Sequence, residues 1–172
     1  MKKTDMEFAE SFPAFCRALR AEGAFLVAQD EKHRPNAMTI GWAAIGVIWG
    51  EPILTVLVRP SRHTFGLMEK AKRFSVCIPP AGKLGKELAF CGSRSGRDCD
   101  KIKECGLKLA AGKEPDVSVL ADCVLFYECE TVHKTHVLKD NLEAGIIARY
   151  YPRGDFHTIY NGRILHAYKS AV

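Results

Sequence analysis

Residues 37–58 read AMTIGWAAIGVIWGEPILTVLV, and this stretch decides the fold. The run from Ala37 to Trp49 is rich in Ile, Val, Trp and Thr, residue types that suit a pleated, half-buried surface. Gly50-Glu51-Pro52 separates it from Ile53-Leu54-Thr55-Val56-Leu57-Val58, so the pair predicts an antiparallel hairpin. Its glycines and short length exclude a membrane-spanning helix, and no membrane association is expected.

Toward the N-terminus, residues 24–29 predict a strand, residues 32–36 a turn around Pro35-Asn36, and residues 8–22 a helix from the spacing of their apolar side chains. Toward the C-terminus, Ser61 is a good N-cap for a helix carrying Phe65, Leu67, Met68 and Ala71 and ending near Lys72. A strand over 74–79, a helix over 82–90, a loop over 91–98 and a short helix over 99–105 follow. Two long β-rich segments, 123–138 and 156–168, complete the pattern. Strands in succession with a few inserted helices predict a mainly β barrel of the α+β kind. Regular βαβ alternation and a G-x-G-x-x-G motif are both missing, which excludes a Rossmann fold. No repeat or linker interrupts residues 1–172, so one domain is expected.

The composition excludes several classes. With 47% apolar and 26% charged residues the chain has the balance of a globular protein, not a disordered one. The start Met1-Lys2-Lys3-Thr4-Asp5 meets no apolar stretch of the kind a secretory leader needs, and a cytoplasmic location is expected. Seven cysteines without a C-x-x-C predict reduced thiols and no metal site. A net charge of +5 without a basic run argues against nucleic acid and suits a small anionic ligand.

Three constellations carry chemistry. Ser61-Arg62-His63-Thr64 gathers hydroxyls and a guanidinium at a helix start, where an anion is favoured; a plain helix cap has the same composition. Residues 92–101, GSRSGRDCDK, alternate glycine, hydroxyl and cationic groups and could close over a phosphate, with Lys101 as a point charge; a solvated loop would look alike. Asn36-Ala37-Met38-Thr39-Ile40-Gly41-Trp42 offers backbone and Met38 to a flat ring, or forms an ordinary core strand.

In their order the segments NAMTIGW (36–42), EPILTVLVRPSRHTF (51–65), FSVCIPP (74–80), CGSRSGRDCDKI (91–102) and YYPRGDFHTIYNGRI (150–164) resemble the flavin-reductase-like, FMN-binding split-barrel family, especially its flavoredoxin-like branch. The resemblance implies an antiparallel split β-barrel with flanking helices, dimeric, with FMN near the subunit interface. It implies cofactor-binding roles for Ala37, Met38, Thr39, Ile40, Gly41 and Trp42, the strip from Met38 on lying against the isoalloxazine. Ser61, Arg62, His63, Thr64 and Lys101 would hold the phosphate, Cys91, Gly92 and Ser93 would close the site, and residues 95–98 would position Lys101. The chain departs from the pattern at Gly162-Arg163, where many relatives carry Gly-Glu. The apolar hairpin adds a second reason to expect a homodimer.

The resemblance implies an NAD(P)H-dependent flavin reductase, with NADH or NADPH as donor and an unidentified acceptor. The alternative is a flavoredoxin-like FMN electron carrier reduced by a redox partner protein. His157 is the candidate catalytic residue, placing the nicotinamide or delivering a proton, with Asp155 near enough in sequence to orient it. His133 and His136 fall on opposite faces of one strand and cannot act as a pair.

Overall fold

The computed structural model describes residues 1–170. Its strands are β1 Lys3–Asp5, β2 Ala24–Gln29, β3 Pro35–Ile40, β4 Ala43–Ile48, β5 Glu51–Val58, β6 Arg73–Ile78, β7 Leu109–Ala111, β8 Ser118–Leu120, β9 Leu125–His136 and β10 Thr158–Ser170. The α-helices are α1 Phe12–Arg20, α2 His63–Met68, α3 Gly85–Ser93, α4 Lys101–Glu104 and α5 Ala144–Tyr150. Seven strands run in the order β3-β2-β6-β9-β10-β5-β4, all pairs antiparallel, with β1 added along the end of β10 and β7–β8 forming a separate ribbon.

The sheet's two edges, β3 and β4, are consecutive in the chain. Only Gly41 and Trp42 separate Ile40 from Ala43, so the edges cannot lie more than about 11 Å apart at that point. They nevertheless do not pair, and the barrel is split there. This corrects the single hairpin expected over 37–58: residues 35–40 pair with β2, and only 43–58 form the hairpin. Its turn is Trp49-Gly50, both with positive φ (56° and 75°), which matches the twist of a two-residue hairpin loop and leaves Glu51-Pro52 inside β5.

Alternation of side chains builds two apolar cores on the two faces of β2, β3, β6 and β9. Leu26, Met38, Ile40, Phe74, Val76 and Tyr127 enter the barrel interior, joined by Leu54, Val56 and Tyr160. Phe25, Val27, Ala37, Cys77 and Phe126 face outward against Leu88 and Cys91 of α3 and Val119 and Leu120 around β8. Burial on both faces explains why β2 reads as unbroken apolar sequence. Glycine is required at Gly162 in β10, where a Cβ would lie 2.6 Å from Phe74 Cζ; the β9 register shifts beside it. At the far end of β4 and in its turn, Val47 and Trp49 are each 65% exposed.

The helices differ from expectation in their bounds: the 8–22 stretch is a short 3-10 turn over 8–11 followed by α1, α3 is shifted to Gly85–Ser93, and α4 is trimmed to Lys101–Glu104. Residues 91–93 form the last turn of α3, not a loop, because Gly92 packs against Thr39 and the Thr39 hydroxyl donates to the Leu88 carbonyl. The helix after β5 begins at His63, with Arg62 at the N-cap and no capping side chain, and ends at Met68. Ser61 is drawn away to Asp155 instead. Among the described residues no helix is long and apolar enough to cross a membrane.

Candidate functional site

Two cavities meet at the split. The first encloses about 110 Å³ between β3, the β5–α2 turn, the end of α3 and the 94–101 loop. Ser61, Arg62, His63, Thr64, Cys91, Gly92, Ser93, Arg94, Arg97 and Lys101 contribute to its wall. The second, about 180 Å³, is walled by Ile40, Gly41, Trp42, Leu57, Arg59 and His157. Met38, Thr39 and Arg62 belong to both, so the two form one trough.

Hydrogen bonds between distant segments hold the first cavity. Lys101 is 3% exposed and its Nζ donates to the Cys91 carbonyl at 3.0 Å. Arg62 Nη1 donates to the Gly92 carbonyl at 2.8 Å, and Arg97 Nη1 to the Ser61 carbonyl at 3.1 Å. Buried Asn36 donates to Thr64 Oγ1 at 2.8 Å, and its Oδ1 leaves room for no Cβ at Gly96. α4 starts at Lys101 because Asp100 accepts from the Lys103 N–H as its N-cap.

Cations dominate the charge. Arg59, Arg62, Arg94, Arg97 and Lys101 line the trough, no carboxylate does, and among the described residues none of the five has an ion-pair partner. Their mutual repulsion disfavours the charged forms of the ionisable groups among them. Burial lowers the Lys101 pKa, and the Arg62 charge lowers it further. The half-buried His63 is likewise lowered by desolvation, then by Arg97 and Lys101. An anion beside these groups relieves that repulsion.

The second cavity is aromatic. The Trp42 ring lies 4.9 Å from both the Tyr150 ring and the His157 imidazole, and Tyr151 stacks on Phe156 at 4.8 Å beneath the Arg59 guanidinium. Tyr151 Oη and His157 Nδ1 are hydrogen-bonded at 2.7 Å. Burial, aided by Arg59, pushes the His157 pKa down to about 4, so the ring is neutral at physiological pH. Asp155 does not orient this imidazole. Its carboxylate accepts from the Ser61 hydroxyl at 2.6 Å and the Ser61 N–H at 3.2 Å, while Arg59 bridges the carbonyls of Tyr150 and Asp155.

Of the residues singled out from sequence, Met38 to Trp42, Ser61 to Thr64, Cys91 to Ser93, Lys101 and His157 all border the trough. Ala37 does not; its side chain is fully buried in the outer core. The Cys91 thiol is pushed up to about 12 by burial, which makes it inert at neutral pH. Sequence reasoning missed Arg59, Tyr151 and the Asn36 bridge. Among the described residues no group of three His, Cys, Asp or Glu side chains is arranged to hold a metal ion. His133 and His136 bond separately, to Asn161 and Thr158.

A split antiparallel barrel with a cation-lined cavity opening onto an aromatic hollow at the split suits a ligand with an anionic end and a planar end. Residues 18–171 match the family described as the flavin reductase like domain, and the chain belongs to it. An FMN-binding domain of a flavin-reductase-like enzyme from Shewanella baltica superimposes with a TM-score of 0.68 at 20% identity, over 98% of this chain and 77% of that one. Flavoredoxin from Methanosarcina acetivorans does so at 0.66 and 26% identity, over 86% and 67%. The Streptomyces globisporus C-1027 NADH:FAD oxidoreductase SgcE6 gives 0.64 at 18% identity, over 86% and 73%. No curated protein matches the sequence.

Proposed function

We propose that this protein is an FMN-dependent oxidoreductase that accepts electrons from NADH or NADPH and passes them through FMN to a further acceptor. The observation that carries the reading is the trough itself: Arg62, Arg94, Arg97 and Lys101 with no carboxylate at one end, and at the other a hollow walled by backbone, Trp42 and His157 beside Arg59. A flavin phosphate, with a charge of about −1.5 to −2, matches the first half, and a planar ring matches the second. Lys101, Arg62, His63, Thr64 and Ser93 would hold the phosphate, and the strip Met38 to Trp42 would face the ring. When bound, FMN supplies a two-electron acceptor that can release its electrons singly. The protein's residues bind, orient and shield it: Arg97 and Asn36 keep the 94–101 loop against the cavity, and Trp42 shelters the open edge. His157, neutral at working pH, serves as a hydrogen-bond partner to the donor rather than as a proton source.

A homodimer is part of this proposal. The end of β4 and its turn expose Val47, Ile48 and Trp49, apolar surface that a lone barrel leaves in water.

The 26% identity to a flavoredoxin supports a second reading, an electron carrier reduced by a partner protein. Anaerobic absorbance spectra with FMN, before and after NADH and then NADPH, separate the two. Prompt bleaching of bound flavin is the expected result. Bound flavin that stays oxidised until a reduced redox protein is added selects the carrier, and protein that takes up no FMN removes both.

A further inference from the structure

Tyr151 lies outside both cavities' walls, yet among the described residues it makes the one hydrogen bond that His157 Nδ1 has. Its hydroxyl is buried and finds its side-chain partner only in that nitrogen. With Nδ1 as its only side-chain partner, the phenol is satisfied when it donates its own proton to that nitrogen. The reverse arrangement, Nδ1–H into the phenol, would leave the Tyr151 O–H without an acceptor in a buried place.

The other ring nitrogen follows from this. If Nδ1 accepts, Nε2 carries the hydrogen. Among the described residues Nε2 has no hydrogen-bond partner, and it is not a sealed orphan either. His157, 8% exposed, forms part of the wall of the aromatic cavity with Trp42 and Arg59. Trp42 at 4.9 Å and Arg59, itself fixed on the Tyr150 and Asp155 carbonyls, limit how the imidazole can turn.

We propose that Tyr151 is a positioning residue that locks His157 as the Nε2–H tautomer, so that the aromatic cavity presents a neutral hydrogen-bond donor to a planar ligand bearing a carbonyl, such as a carboxamide. The proposal deepens the functional reading above and rests on it for the ligand, although not for the tautomer. Burial makes the arrangement persistent: with the imidazole pKa near 4, the ring donates through one fixed nitrogen at every pH where the protein would work. A carbonyl acceptor is favoured and a cationic group is excluded, since Arg59 and Arg62 flank the same cavity.

Nitrogen NMR of the histidine-labelled protein, with His157 assigned through the His157→Gln variant, reads the tautomer without any ligand. The expected spectrum at pH 7 shows an unprotonated Nδ1 and a protonated Nε2 for His157. Tyr151→Phe keeps the ring on Phe156 and under Arg59, and it should mix the two tautomers. A wild-type Nδ1–H, or a Tyr151→Phe spectrum identical to wild type, overturns the proposal. In the FMN-loaded protein, the dissociation constant of NADH or NADPH should rise by about three- to tenfold in Tyr151→Phe and in His157→Ala. His157→Gln, which keeps an N–H near the Nε2 position, should stay within about twofold of wild type. Equal losses in the Gln and Ala variants overturn the donor role. Failure of the wild-type protein to bind FMN would sink the functional reading alone, because the ligand-free spectra still decide the tautomer.

Discussion

The cation-lined cavity and the aromatic cavity share three residues, yet they are built in opposite ways. In the first, charged side chains reach across segments to backbone carbonyls: Lys101 to Cys91, Arg62 to Gly92, Arg97 to Ser61. Its electrostatics stay unsatisfied within the protein. In the second, rings pack edge to face, tilted or stacked, and the imidazole among them is held neutral. One half therefore recognises charge and the other shape, and a ligand needs an anionic end and a planar end to fill both. FMN and riboflavin have the same ring and differ in the phosphate, so the pair of ligands reads the two halves separately.

The largest effect is expected from Gly96→Ala. A Cβ there would lie 2.2 Å from Asn36 Oδ1 and 2.7 Å from His63 Cδ2, so the loop must leave the cavity and take Arg97 with it. Overpacking of this kind costs about 3 kcal/mol, or more than roughly 100-fold in FMN affinity by fluorescence titration. Riboflavin binding should change far less. Equal losses for both ligands would break the division between charge and shape.

The aromatic half has its own signature in pH. His157 titrates at about 4 in the folded protein against an ordinary 6.5 when unfolded. The unfolded chain thus binds the proton first, and the stabilisation is complete above about pH 6.5 and lost as the pH falls toward 4. A shift of this size corresponds to about 3 kcal/mol. Urea denaturation of the wild type at pH 7 and pH 4.5, compared with His157→Gln, should show a shallower pH dependence in the variant. Parallel dependences would mean that the imidazole is not held neutral.

Much of the charged half could be read along the chain, and little of the aromatic half. The groups around Lys101 and Ser61 to Thr64 are contiguous motifs whose residue types announce an anion. Tyr151 and His157 are six residues apart and meet only because Gly154 and Asp155 both take positive φ and fold the segment back. Asp155 looked closer to the imidazole in sequence, but that same turn aims its carboxylate at Ser61. In the fold, β2 was legible to the residue because both of its faces are buried. The break at Gly41-Trp42 was not, because two edge strands of similar apolar composition run on without a turn residue cluster between them. The last turn of α3 was hidden by Gly92-Ser93, poor helix formers retained by their packing on Thr39 and their bond to Arg62.

Lys101→Met sharpens the comparison further. Removing a buried cation without a carboxylate partner relieves desolvation, so the ligand-free protein should hold or gain thermal stability. FMN affinity should nevertheless fall by roughly 10- to 100-fold, the worth of one charge-assisted bond of about 1.5–3 kcal/mol. Stability and affinity moving in opposite directions would identify Lys101 as a group kept for the ligand rather than for the fold. A large fall in stability would assign it to the packing of α3 on α4 instead.

The smallest effect should come from Trp42→Ala, and its pattern matters more than its size. Trp42 is partly exposed at the break between the two sheet edges, where it meets Tyr150 and Tyr151 edge to face and His157 at a tilt. No hydrogen bond from its side chain anchors another segment, so the barrel should fold as before. Loss of ring contacts worth about 0.5–1.5 kcal/mol predicts roughly a two- to tenfold weaker affinity. Because Trp42 borders only the aromatic cavity, FMN and riboflavin should lose affinity by the same factor, the reverse of the discrimination expected from Gly96 and Lys101. A loss confined to FMN would place the phosphate at the split and the ring in the cation-lined cavity, inverting the orientation of the ligand in the trough.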